Sequence, residues 1–323
     1  MTDQLDVLLL LALPASGKSE IRRFLASADP AVQRADFHIA DCVQLDDYPY
    51  VHMMRRISQE MTRLGEPSTF FPADDQTLVD QRDWGTLIQL LNEDFADLQA
   101  GRRAAPASAS SWLFARFDAA RAKVGVPAGF ARLPDATRVA LAKALEPEAQ
   151  KLLRERNEGI PEKAAGRTVV IEFARGGPDR ASLPLPTPLG YRYSLAQLSP
   201  ELLERAAILY VWVTPEESRR KNLARTDPND PGSILNHGVP LSVMLGDYGC
   251  DDMEWLIGQS DRKDTIRIEA HGKVHHLPVA RFDNRVDRTT FVRADKAKWA
   301  KADVAALHSG LAEAFGRLVK ARG

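Results

Sequence analysis

A chain of 323 residues with 44% hydrophobic and 27% charged residues is long and apolar enough for one large α/β domain with an insertion, or for two domains, and reads as globular and soluble rather than disordered. Its 43 basic and 44 acidic residues leave a net charge of −1, which gives no broad electrostatic reason for a long nucleic-acid footprint. Cys42 and Cys250 are too far apart for a zinc motif and too few for a disulfide framework, so a reducing, cytoplasmic setting is expected.

The first apolar run, residues 6–13, is too short to span a bilayer. No basic segment precedes it and no signal cleavage site follows it, so it reads as a buried strand. Runs at 37–42, 168–173, 208–213 and 277–282 have the continuous apolar character of strands covered on both faces. Helical patterns at 18–26, 50–64, 200–205 and 215–225 lie between most of them, and a last helix over about 295–321 carries alanine and leucine at helical spacing. The alternation argues for an α/β, three-layer fold with five parallel core strands.

Residues 65–166 interrupt that order with helical patterns at 84–98, 111–124 and 134–157 and a low-complexity linker at 100–110. They read as a helical insertion, a candidate substrate-binding subdomain, on a core formed by 1–64 and 167–323. Residues 267–282 read as a hairpin turning at His271-Gly272-Lys273 and leading into the last core strand.

The clearest chemical signal joins the first strand to the first helix through Pro14-Ala15-Ser16-Gly17-Lys18-Ser19. A strand running into a tight loop and then a helix brings successive amides and the helix N-terminus onto phosphate oxygens. Gly17 permits close backbone approach, Lys18 offers an ammonium to the β and γ phosphates, and Ser19 offers a hydroxyl to Mg²⁺. The pattern G-x-x-x-x-G-K-[ST] has glycine where this chain has Ala12, a change that a negative φ tolerates.

On these residues the chain resembles the P-loop kinase group that includes polynucleotide 5′-kinases, uridine-kinase-like enzymes and zeta-toxin-like kinases. The resemblance implies a P-loop NTPase fold, bound ATP and Mg²⁺, and a mobile arginine-bearing lid near 215–235. It extends to Gln44-Leu45-Asp46-Asp47-Tyr48, where an aspartate of such kinases accepts the proton of the attacking hydroxyl; Asp46 is the first candidate and Asp47 the second. The same two residues suit a helix N-cap. Pro49 stands where a polynucleotide kinase would be expected to carry arginine.

Further along, the strand ending in Glu172 is similar to a Walker B element that holds Mg²⁺ through its water shell, and Arg175 lies close enough in sequence to touch substrate. The run 209–225 resembles the strand and lid helix. There Lys221 and Arg225, four residues apart on one face, would stabilise the transferring phosphoryl group, and Arg220 would contact the nucleotide; the bland alternative is a solvated face. Asn284 either hydrogen-bonds the base or starts a turn. His271, His275 and His276 lack the further ligands of a metal site. Asp247, Asp251, Asp252 and Glu254 either cap a short helix or line the substrate cleft.

The expected activity is transfer of the ATP γ-phosphoryl group to a hydroxyl of a small molecule or nucleoside. The alternatives are a non-catalytic nucleotide switch and, less favoured, a polynucleotide 5′-hydroxyl kinase. No membrane partner is expected.

Overall fold

Six strands form one mixed sheet in the computed structural model, which describes residues 4–225 and 238–322, the side chain of Arg225 excepted. The strands are β1 (Val7–Leu11), β2 (Cys42–Asp46), β3 (Thr168–Phe173), β4 (Ala206–Trp212), β5 (Thr265–Ala270) and β6 (Lys273–Asp283). Their order is β2-β3-β1-β4-β6-β5. Every pairing is parallel except β5 with β6. The core thus has six strands rather than five, because both arms of the hairpin belong to the sheet.

The twelve α-helices described are α1 (Lys18–Ser27), α2 (Pro30–Asp36), α3 (Tyr48–Arg63), α4 (Asp83–Ala100), α5 (Ala109–Lys123), α6 (Asp135–Glu158), α7 (Gly190–Ala196), α8 (Pro200–Arg205), α9 (Pro215–Arg225), α10 (Leu241–Gly246), α11 (Met253–Gln259) and α12 (Lys301–Arg322). Among the described residues no helix is long and apolar enough to cross a membrane.

Side chains alternate across a strand, and β1 shows the result. Leu8 and Leu10 join a core with Ile21 and Phe24 of α1 and Leu307, Leu311 and Phe315 of α12. Val7, Leu9 and Leu11 join a second core on the other face with Ile88, Leu91 and Phe95 of α4 and Tyr191 of α7. β1 is buried along its whole length, as its unbroken apolar run requires.

The second strand lies later than the 37–42 run. Phe37 and Ile39 are buried, but their segment is irregular: Leu5 N–H bonds the His38 carbonyl at 2.7 Å, and Ala40 N–H bonds Thr168 Oγ1 at 3.0 Å. The ladder with β3 begins only at Cys42, opposite Thr168. The last helix starts at Lys301, after two short 3₁₀ turns at Thr290–Arg293 and Lys296–Lys298.

Helices α4 to α6 fill the insertion and share a core with α3, where Tyr50, Met54 and Ile57 meet Leu87, Phe117 and Leu145. A buried charge network stitches four helices. Asp94 of α4 accepts from Arg116 of α5 (2.7 Å), Arg156 of α6 (2.7 Å) and the Tyr50 hydroxyl of α3 (2.5 Å).

Candidate functional site

Parallel strands end together at one edge of a sheet, so the loops after β1, β2, β3 and β4 converge there. β1 lies between β3 and β4, and the crevice beyond its carboxyl end opens into a cavity of about 1130 Å³.

The loop after β1 forms the cavity's first wall. Ala15 (φ 56°) and Gly17 (φ 102°) occupy the left-handed region, which folds the chain tightly before α1 begins at Lys18. Ala12 is absent from the positive-φ residues, so its methyl group is accommodated, and its carbonyl accepts from Lys18 Nζ at 3.3 Å. Pro14, Ala15, Lys18 and Ser19 all line the cavity. Ser16 is buried beneath it, and its Oγ has no hydrogen-bond partner.

Two distant segments hold this loop. The Asn284 carboxamide donates to Ser16 O at 2.7 Å and to Thr289 Oγ1 at 3.0 Å, and its oxygen accepts from Arg288 N–H at 2.8 Å. Fully buried in this role, Asn284 braces the loop instead of offering itself to a base. On the other side Ser218 Oγ of α9 donates to Pro14 O at 2.7 Å. Sequence reasoning missed Ser218; its signal was the Thr214-Pro215 helix start, whose hydroxyl caps Glu217 N–H at 3.1 Å and fixes which face of α9 meets the loop.

The second wall is acidic. Asp46 and Glu172 are register partners at the ends of β2 and β3. Surrounding protein, then the negative charges of Glu172 and Asp47, push the Asp46 carboxyl up to about 7, against the pull of Tyr48 N–H at 2.9 Å and of Arg22. Asp46 therefore caps the first amide of α3 and lines the cavity at once. Asp47 is buried and paired with Arg175 at 2.7 Å. Burial raises the Asp47 carboxyl, and Arg175 opposes that rise. Arg175, itself 2% exposed, also bonds Ser194 Oγ at 3.0 Å and lies 4.9 Å from the Trp84 ring centroid.

Glu172 forms an ion pair with Arg22, one turn along α1 from Lys18. Burial raises its carboxyl, and Arg22 and Lys18 pull it down. Sequence reasoning missed Arg22; its signal was the i+4 spacing from Lys18 on the same helix face. Among the described residues no group of three or more His, Cys, Asp or Glu side chains is arranged to hold a metal ion.

Two of the expected lid residues are engaged with carboxylates instead of the cavity. Lys221 is 4% exposed and engaged with Asp287 (3.2 Å) and Glu217 (3.7 Å), away from the cavity lining; Arg220 is an exposed partner of Glu217 at 2.7 Å. A basic run on a helix leaves the facing of each residue to packing, and here Asn222 and Ala224 face the cavity. The Arg225 side chain and the rest of the expected lid up to 235 lie outside the described residues.

The third wall comes from α3, from the insertion and from the segment around α10. Arg55, Phe71, Trp84, Val243, Asp247 and Tyr248 line it. Of the acidic group, Asp251 accepts from Tyr210 Oη and Met253 N–H (both 2.9 Å), and Asp252 accepts from the first amides of α7, Tyr191 N–H at 2.6 Å and Arg192 N–H at 3.0 Å. Those two are structural, whereas Asp247 belongs to the cavity. Comparison with protein-family models, curated proteins and solved structures finds no match for the chain.

Proposed function

We propose that this chain is an ATP-dependent phosphotransferase with a P-loop NTPase fold, moving a γ-phosphoryl group to a hydroxyl of a small-molecule or nucleoside acceptor. The observation that carries the reading is the meeting of Lys18, at the start of α1, and Asp46, at the end of β2, in the lining of one cavity. A cationic phosphate cradle and a carboxylate titrating near neutrality are the two parts that such a transfer needs.

The residues fit a polyphosphate. Helical geometry points the opening amides of α1 outward along the axis, and the helix dipole favours negative charge there. Lys18, Arg22, Arg23 and Arg293 add positive charge to the same lining. The buried Ser16 hydroxyl lies within the loop with hydrogen-bonding capacity to spare. Mg²⁺, when bound, neutralises phosphate charge; Ser19 and Glu172 are the residues that would hold it, with Glu172 exchanging its Arg22 ion pair for that role.

In this reading Asp46 takes the proton of the acceptor hydroxyl as the hydroxyl oxygen bonds to the γ-phosphorus and the bond from that phosphorus to the β-phosphate bridging oxygen breaks. Burial, and then the carboxylates of Glu172 and Asp47, make Asp46 basic enough for that step at neutral pH. Asp47 does not move the proton; locked to Arg175, it fixes the entry to α3 and its negative charge beside Asp46. Lys18 follows the charge that develops on the leaving phosphate oxygens.

The Arg22–Glu172 ion pair favours one other reading, a nucleotide-binding switch without transfer, because it occupies a carboxylate that transfer would use. Incubation with labelled ATP, Mg²⁺ and a panel of nucleosides and sugars separates the two. Label in an acceptor supports the transferase; nucleotide binding with neither transfer nor hydrolysis supports the switch.

A further inference from the structure

Asp247 follows α10 and lines the cavity, yet it is 1% exposed and neither carboxylate oxygen has a hydrogen-bond partner. A buried carboxylate without donors bears the full cost of lost hydration, so an unpartnered one in a cavity wall points to a ligand that supplies the donors. Capping does not occupy it, unlike Asp251 and Asp252.

The surroundings narrow the ligand. Arg55 is the cation whose field acts on Asp247. Its guanidinium lies 4.0 Å from the Phe71 centroid and donates to Asp74 O at 2.6 Å. A cationic ligand would meet Arg55 and an anionic one would meet Asp247, so the pair selects a neutral group rich in donors. Tyr248, next in sequence, makes an edge contact with Trp84 at 5.8 Å. These rings give an apolar face beside the carboxylate, the combination that binds the flat side of a sugar ring. Trp84 is also the ring beneath Arg175, which holds Asp47, so this wall adjoins the proposed proton acceptor.

We propose that Arg55, Trp84, Asp247 and Tyr248 form the acceptor subsite, and that Asp247 accepts hydrogen bonds from two adjacent hydroxyls of a neutral polyol, a sugar or the ribose of a nucleoside. That the bound polyol is the phosphoryl acceptor rests on the phosphotransferase reading; the binding itself does not.

The test is calorimetric titration of the full chain with adenosine, uridine, glucose and myo-inositol, beside deoxyadenosine and deoxyglucose. ATP binding is measured separately. Binding of at least one polyol is expected, weakened at least about tenfold by loss of one hydroxyl and by Asp247→Asn. Asp247→Asn removes an unsatisfied charge, so its melting temperature should hold or rise; were it to misfold, the deoxy comparison on the natural chain decides alone. Absence of polyol binding up to about 10 mM, equal binding of the deoxy compounds, or unchanged binding by folded Asp247→Asn overturns the proposal. Polyol binding without ATP binding would sink the phosphotransferase reading and leave the subsite standing. Transfer to an acceptor without adjacent hydroxyls would sink the subsite and leave the transferase.

Discussion

The Asn284 carboxamide donates a 2.7 Å hydrogen bond to the carbonyl of Ser16 across 268 residues of chain. The loop that would grip phosphate is therefore held by the segment after β6 as well as by its own motif. A Cβ at Gly17 would lie 2.5 Å from Thr289 Oγ1 and 2.8 Å from Asn284 Nδ2, at a φ of +102°. Gly17→Ala should destabilise the loop by roughly 1–3 kcal/mol and weaken nucleotide binding with it. Asn284→Ala should weaken binding less, because only the brace is lost. Calorimetric titration of both variants with ATP gives the ranking; equal binding by natural chain and Gly17→Ala would refute the tight contact.

In the proposed transfer the neighbours Asp46 and Asp47 do different work, Asp46 as the base and Asp47 as the partner of Arg175. Asp46→Asn should lower kcat by about 10²–10⁴ with little loss of stability. Asp47→Asn breaks the buried pair with Arg175 and should cost on the order of 3–5 kcal/mol in unfolding free energy. The base must be ionised, so kcat/KM should fall as pH drops through about 7, the value to which Asp46 is raised. A flat profile between about pH 5.5 and 8.5 would remove Asp46 from the proton-accepting role.

Stability should also depend on pH. Asp46, Asp247 and Asp251 are each raised to about 7 from carboxylates that titrate near 4 when unfolded. Between those limits the folded chain binds more protons than the unfolded chain, so stability is greatest below the unfolded value and falls as pH rises toward 7. Glu146 and Asp287, held down to about 2 by hydrogen bonds, work in the opposite sense, but their contribution is complete above about 4 and is lost only in acid. Urea unfolding should therefore give a lower free energy near pH 8 than near pH 5. Asp247→Asn should reduce that slope.

The Asp94 network predicts a fold-level effect without a chemical one. Asp94→Ala leaves Arg116 and Arg156 buried without their shared carboxylate and should destabilise the chain by about 3–5 kcal/mol. Denaturant titration reads the loss, and ATP affinity under folding conditions should stay unchanged.

What the sequence reveals follows from where each strand lies. β1, β3 and β4 are covered on both faces; β1 and β4 read as unbroken apolar runs and β3 as one interrupted only near its end by Glu172. β2 is an edge strand with exposed Cys42 and Gln44, so its run is weak, and the neighbouring apolar Phe37 and Ile39 drew the strand several residues too early. The loop after β1 and the two aspartates stood out through their resemblance to P-loop kinases, and Lys18, Asp46 and Asp47 all line one cavity. Where Lys221 and Arg220 face was not legible, because a basic run does not state which side meets Glu217 and Asp287. Arg55, Asp247 and Tyr248 come together only through the tertiary fold, so the third wall had no local signature.

The most direct measurement is transfer from labelled ATP by Lys18→Ala beside the natural chain, with matched melting curves. Loss of both transfer and ATP binding in a variant that melts like the natural chain is the predicted result. Undiminished transfer by that variant would contradict the assignment of the loop after β1 as the phosphate site.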